Sequence, residues 1–244
     1  DFHIMVVDGD KHWGSQTCTP LCPSLSCKIG EPCCSLVECP LCDPPTKKGD
    51  PCCHTPNYPC DLLDEVTACD ETIGAGNVFA AGKYASNKPC SIAGGRRYLT
   101  KDQPNLTETF ACVAKLGVSG YDLLGEAFAW AMSPALNDPG ECNAGFLRDD
   151  ALLMVTFIGS YDPYSKGDPD SWRIAALSAK KDPNSVVMLN IFDPTCPYPD
   201  DRICELVQMF PYHHVADFLK DDYGAAFDEA TDLVEVACSE FIPG

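Results

Sequence analysis

Ala151-Leu152-Leu153-Met154-Val155-Thr156-Phe157-Ile158 carries no charge, no proline and no glycine. A run this short and this continuously apolar reads as a strand covered on both faces, as in a parallel sheet. Downstream of it, helical and strand patterns alternate. Asp168-Pro169-Asp170-Ser171 opens a helix, with Asp168 as N-cap and Pro169 in the first turn, and the helix runs through Trp172 to Lys180. Ser185 to Ile191 is a second buried strand, Ile203 to Phe210 a helix, Val215 to Leu219 a last strand, and Tyr223 to Phe241 a closing amphipathic helix. Strands alternating with helices predict an α/β fold built on a doubly wound, mostly parallel sheet.

Upstream of that run the pattern persists and then breaks. Leu106 to Leu116 has helical spacing and stops at Gly117, and Asp122 to Met132 is a second helix ended near Pro134. Arg96-Arg97-Tyr98-Leu99-Thr100 fits a short edge strand. Phe2 to Val7 is an apolar strand at the start of the chain, ending in Asp8-Gly9-Asp10. Between them, residues 11–94 lose all periodicity and are dominated by Pro, Gly, Cys and Asp.

The cysteines concentrate in that stretch. Of 17 in 244 residues, ten lie in the segment 18–60: Cys18, Cys22, Cys27, Cys33, Cys34, Cys39, Cys42, Cys52, Cys53 and Cys60. Only one Cys-x-x-Cys knuckle, Cys39 to Cys42, is present, so the spacing fits a zinc site poorly. The vicinal pairs Cys33-Cys34 and Cys52-Cys53 fit disulfides better. Cys69 and Cys90 look like a further local pair, and Cys112 and Cys142 flank the second helix and could tie it down. Cys196 and Cys204 are close enough to close a loop, which leaves Cys238 as the odd thiol; Cys204 with Cys238 is the competing pairing. Disulfides at this density place the protein in an oxidising compartment: secreted, on the cell surface or associated with an outer membrane. The chain shows no signal peptide, so an exported protein would carry this sequence as a mature or trimmed form.

Seventeen Lys+Arg against 36 Asp+Glu give a net charge of −19. Such a chain repels phosphate backbones and anionic bilayers, which argues against nucleic-acid and membrane-surface partners. No stretch has the roughly 20 apolar residues of a spanning helix. Catalytic motifs are missing too. Gly117-Val118-Ser119-Gly120 lacks the last glycine of a nucleophile elbow and follows a helix. His213 and His214 are adjacent in a strand, so they point to opposite faces, and no His-Glu-x-x-His occurs. His54, after Cys52-Cys53, reads as a loop histidine before it reads as a ligand. Asn105-Leu106-Thr107 matches the N-glycosylation pattern, with Thr107 as an alternative helix cap.

Gly145 to Ile158, preceded by Glu141-Cys142-Asn143, resembles the fourth-strand region of von Willebrand factor A-like domains, above all those of exported, cysteine-containing bacterial proteins, often lipoproteins. Asp1 to Asp8 is similar to the second strand of that family, Gly95 to Thr100 to the third, and Trp172–Lys180, Val186-Val187 and Ala237–Phe241 to later elements. The resemblance implies a von Willebrand factor A-like domain at 1–10 and 95–244, with residues 11–94 as a cysteine-rich insertion. It also implies that the family's first strand and its Asp-x-Ser-x-Ser segment have no counterpart here. Residues upstream of Asp1, or a second chain, would then complete the sheet.

The family's metal site maps onto altered residues. Its threonine position falls at Asp122 and its aspartate position at Ser160, with Asp162 two residues on. Oxygen ligands of this kind suit Ca²⁺ or Mg²⁺. Asp8 and Asp10 end a strand on the rim where α/β sheets bind ligands, and are further cation candidates. The bland alternatives are that Asp122 caps its helix and that Asp162 sits in a proline-containing turn. The function expected is a non-catalytic extracellular interaction or self-assembly module, or else a divalent-cation-dependent adhesion domain with a degenerate metal site.

Overall fold

Val186-Val187-Met188-Leu189-Asn190-Ile191-Phe192 is buried at every position, so it is the strand on which the second half of the chain is organised. The computed structural model describes residues 1–9, 66–80, 85–117, 123–159, 162, 164–192, 196, 201–218 and 223–240. The chain falls into two units, Asp1–Gly120 and Tyr121–Gly244.

In the first unit, β1 (His3–Ile4) pairs antiparallel with β2 (Leu99–Thr100), His3 opposite Thr100 and Ile4 opposite Leu99. The apolar run from Phe2 is thus a strand for only two residues; Val7 makes an isolated bridge to Gly76. The backbones are close there. A Cβ on Gly76 would lie 2.2 Å from the Arg97 carbonyl oxygen and 2.8 Å from Met5 Cγ, so only glycine fits. Arg97 donates to the Gly76 carbonyl at 2.7 Å and pairs with the buried Asp70 carboxylate. Helix α1 (Leu106–Val113) packs Val113 against Cys90 and Leu99, with Ile4, Val6, Ile92 and Leu106 around them. Its N-cap is Asn105 at φ 50°, so Thr107 lies inside the helix and does not cap it.

Two expected pairings are corrected here. Cys90 is bonded to Cys112, not to Cys69, and Cys112 is therefore not bonded to Cys142. The reason is packing: α1 carries Cys112 beside Val113 into the Cys90–Leu99 cluster, where the Cα atoms stand 5.8 Å apart, a bridgeable distance. Cys69 and Cys142 are also disulfide-bonded. Cys196 is bonded to Cys204, and Cys238 is a free, exposed thiol. The cysteines from Cys18 to Cys60 lie outside the described residues.

The second unit is α/β. Helices α2 (Leu124–Ala131) and the short α3 (Pro134–Asn137) precede β3 (Leu153–Ile158). Then come α4 (Pro169–Lys180), β4 (Val186–Phe192), α5 (Arg202–Gln208), β5 (Tyr212–Asp217) and α6 (Gly224–Glu240). The strands form a parallel sheet in the order β3-β4-β5. Helices pack on both of its faces: Phe128 of α2 meets Phe157 edge-on at 5.6 Å, while Ala230 of α6 lies against Leu189 and Ile191. The start of α4 is as its sequence dictates. Asp168 accepts the Ser171 N–H at 2.8 Å, Ser171 Oγ accepts the Asp168 N–H at 3.0 Å, and Pro169 occupies the first turn.

Two strands differ from expectation. β5 begins at Tyr212, three residues before Val215, and ends at Asp217. β3 is not covered on both faces: Leu153 and Phe157 are buried, but Met154 is 38% and Ile158 63% exposed. Among the described residues it is an edge strand, and α6 lies over β4 and β5 instead. Lys180, buried at the end of α4, donates to the carbonyls of Arg148 and Ala151 and so holds the lead into β3. Burial pushes its ammonium pKa down, against the opposing pull of Asp149 and Asp150.

Candidate functional site

In a parallel sheet the carboxyl ends of the strands form the rim where ligands bind. β3 ends at Ile158, and the segment after it carries the one expected ligand of the second unit that is described, Asp162. Asp162 is 2% exposed. One carboxylate oxygen accepts the Gly125 N–H at 2.8 Å and the other accepts the Ser165 N–H at 3.0 Å. Ser165 Oγ in turn accepts the Glu126 N–H at 3.0 Å. The first N–H groups of α2, unpaired within the helix, are thus satisfied by a carboxylate and a hydroxyl from far along the chain. Leu123, the residue at the N-cap position itself, makes no side-chain cap.

Arg202, at the start of α5, holds the same loop from below. Its guanidinium donates to the carbonyls of Asp162 at 2.8 Å, Ser165 at 2.9 Å and Gly167 at 3.0 Å, and one nitrogen lies 3.9 Å from the Asp162 carboxylate. Its other face lies over the ring of the buried Trp172, 5.2 Å from the centroid. Trp172 Nε1–H donates to the Lys166 carbonyl at 3.3 Å. The indole also sets the approach of α2: a Cβ at Gly125 would fall 2.4 Å from ring carbons of Trp172. Residues 162 and 164–168, α2, α4 and α5 are therefore locked through Asp162, Arg202 and Trp172, and Tyr164 stands there 54% exposed. The helix α5 has its own cap: Asp201 accepts the Cys204 N–H at 3.1 Å.

Of the other expected ligands, Asp10, Asp122 and Ser160 lie outside the described residues. Asp8 is half-buried in the first unit. Among the described residues, no group of three or more His, Cys, Asp or Glu side chains is placed to share a metal ion. The histidine pair is divided between the faces of β5: His213 Nδ1 meets the Phe210 carbonyl at 2.7 Å, and His214 Nδ1 lies 3.1 Å from Glu229 of α6. Near the end of α6, Glu240 accepts the Tyr212 hydroxyl, and that hydrogen bond holds the phenol above its ordinary pKa. Among the described residues, no helix is long and apolar enough to cross a membrane.

The role of Arg202 is missed by sequence reasoning, because it stands in a loop-to-helix junction with no motif around it. Trp172 signals only a core position. No protein-family model, no curated protein and no solved structure matches this chain.

Proposed function

We propose that this chain is a non-catalytic extracellular module for protein interaction or assembly, of the von Willebrand factor A-like kind, with the strand-end rim and the cysteine-rich segment 11–94 as its contact surfaces. One observation carries the reading. Tyr164 is presented, largely exposed, on a loop whose backbone carbonyls at Asp162, Ser165 and Gly167 are all held by Arg202. An exposed aromatic on a backbone already fixed binds with little ordering cost, which is how interface anchors work. The polar groups beneath it are used on each other: both Asp162 oxygens accept backbone N–H groups. That favours a rigid recognition surface over a reactive centre. Disulfides at Cys90–Cys112 and Cys196–Cys204 fit an oxidising, extracytoplasmic location.

The test replaces Tyr164 with a photoreactive phenylalanine analogue in the protein as it is exported, and Ile174, 61% exposed on α4, as control. A discrete protein adduct from position 164 and none from position 174 supports the reading. Equal labelling at both, or none at either, counts against it. Calorimetric titration with Ca²⁺ and Mg²⁺ decides the adhesion alternative: saturable binding moves the assignment to a cation-dependent domain.

A further inference from the structure

Asn105-Leu106-Thr107 is the only Asn-x-Ser/Thr triplet in the chain, and its middle residue is not proline. A structural duty could account for it, because either Asn105 or Thr107 could cap α1. Neither side chain does so. Thr107 lies inside the helix, and Asn105, at the N-cap position, makes no side-chain hydrogen bond to it. α4 and α5 differ, since Asp168 and Asp201 fill that role there. Asn105 serves α1 through its backbone alone: its carbonyl accepts the Thr109 N–H at 2.9 Å.

The turn that carries Asn105 is fixed from within. Gln103 is buried, and its amide nitrogen donates to the carbonyls of Pro104 at 2.9 Å and Ser91 at 3.1 Å. Its amide oxygen accepts the Ala93 N–H at 2.8 Å. With the Pro104 carbonyl held on this buried amide, the chain passes through Asn105 at φ 50° and ψ 51°. That left-handed conformation is one asparagine tolerates better than most residues. The surface around it is open: Asp102, Pro104, Asn105, Thr107, Glu108 and Ala111 are all exposed. The buried positions of α1 are Thr109 and Val113, so a bulky group on Asn105 displaces no core residue of the helix.

We propose that Asn105 is a site of N-linked glycosylation, taking an oligosaccharide from a polyprenyl diphosphate donor during export. The Asn105 side-chain nitrogen bonds to the anomeric carbon of the sugar. The bond from that carbon to the diphosphate oxygen breaks, and the polyprenyl diphosphate leaves with the electron pair. The amide proton passes to a base of the transferase. One transferase site has to read the Asn105 amide and the Thr107 hydroxyl together. In the folded chain those residues belong to different conformations, a left-handed turn and a helix. Transfer therefore precedes closure of α1 and the Cys90–Cys112 bond that ties it down. The disulfides fit a compartment in which such donors act. The proposal rests on the extracytoplasmic part of the module reading and not on the Tyr164 surface.

The test is peptide mass spectrometry on the full chain as its own cells export it. The peptide containing Asn105 is expected to carry added saccharide mass, and fragmentation is expected to place that mass on Asn105. Thr107→Ala should abolish the addition, and Thr107→Ser, which keeps the hydroxyl, should retain it. Position 107 is exposed and alanine is the better helix former, so a folding defect does not explain a loss in the alanine variant. An unmodified peptide from the wild-type protein overturns the proposal. Saccharide that survives Thr107→Ala also overturns it, because the triplet is then not what is read. An unmodified Asn105 in a protein that still gives the Tyr164 adduct overturns the glycan site alone. Absence of both the saccharide and the adduct overturns the module reading with it.

Discussion

Asp162 accepts the N–H of Gly125 at 2.8 Å across 37 residues of sequence, so the start of α2 is capped by a carboxylate from the loop after β3. The same side chain accepts from Ser165 and sits beside Arg202, and it is almost fully buried. Removing it leaves two buried donors and a guanidinium short of an acceptor. Asp162→Ala is expected to cost about 3 kcal/mol, since hydrogen bonds to charged groups are the stronger class and unpaired buried donors are costly. Asp162→Asn, which keeps one acceptor oxygen, should cost about half of that. Denaturant midpoints at unchanged slope measure both; an alanine variant as stable as wild type would remove the capping role.

Gly125 is required for a different reason. A methyl group there meets the Trp172 ring at 2.4 Å, and a fully buried indole has nowhere to withdraw. Gly125→Ala should destabilise by about 3 kcal/mol, at the upper end of ordinary overpacking. Trp172→Phe removes the crowding atoms, so the double variant should be more stable than the sum of the singles implies. Additive losses would mean that the contact is not what fixes the glycine.

These two relationships show where the sequence was legible and where it was not. The capping box of Asp168 and Ser171 closes within three residues, and its residue types announce it. Asp201 before α5 is local in the same way. Strand and helix order in the second unit comes from periodicity, which is also a local property. Asp162 could be marked as a rim residue, but its partners lie at Gly125, Ser165 and Arg202, and no spacing rule reaches that far. β3 shows the reverse limit: an apolar run reports that a strand can be covered, not that it is, and Ile158 stands 63% exposed. The Cys196–Cys204 pairing was legible, but Cys69 with Cys90 and Cys112 with Cys142 failed for the same reason. Cys90 lies 21 positions from Cys69 and 22 from Cys112, and only the packing of α1 decides between them.

That decision can be read by peptide mapping without reduction. A linked pair carrying Cys90 and Cys112 is expected, with a second carrying Cys196 and Cys204, and alkylation at Cys238 alone among these five. A fragment joining Cys69 to Cys90 would contradict the assignment. Replacing Cys90 and Cys112 together by serine frees a loop of sequence separation 22, and on the loop-entropy account should cost about 3 kcal/mol.

Tyr212 ties the end of α6 to the start of β5 through its hydroxyl on Glu240, and that hydrogen bond is the main reason its pKa is raised. A folded pKa above the unfolded value of 10.0 means that the folded protein holds the proton more tightly. The contribution to stability is therefore complete below pH about 10 and is lost as pH rises through the higher folded value. In a spectrophotometric titration, Tyr212→Phe should remove a late-ionising phenol, and Glu240→Gln should move that phenol back toward ordinary behaviour. The difference in stability between wild type and Tyr212→Phe should narrow over the same alkaline range. If the two proteins lose stability in parallel there, the phenol–carboxylate contact does not hold α6 to the sheet.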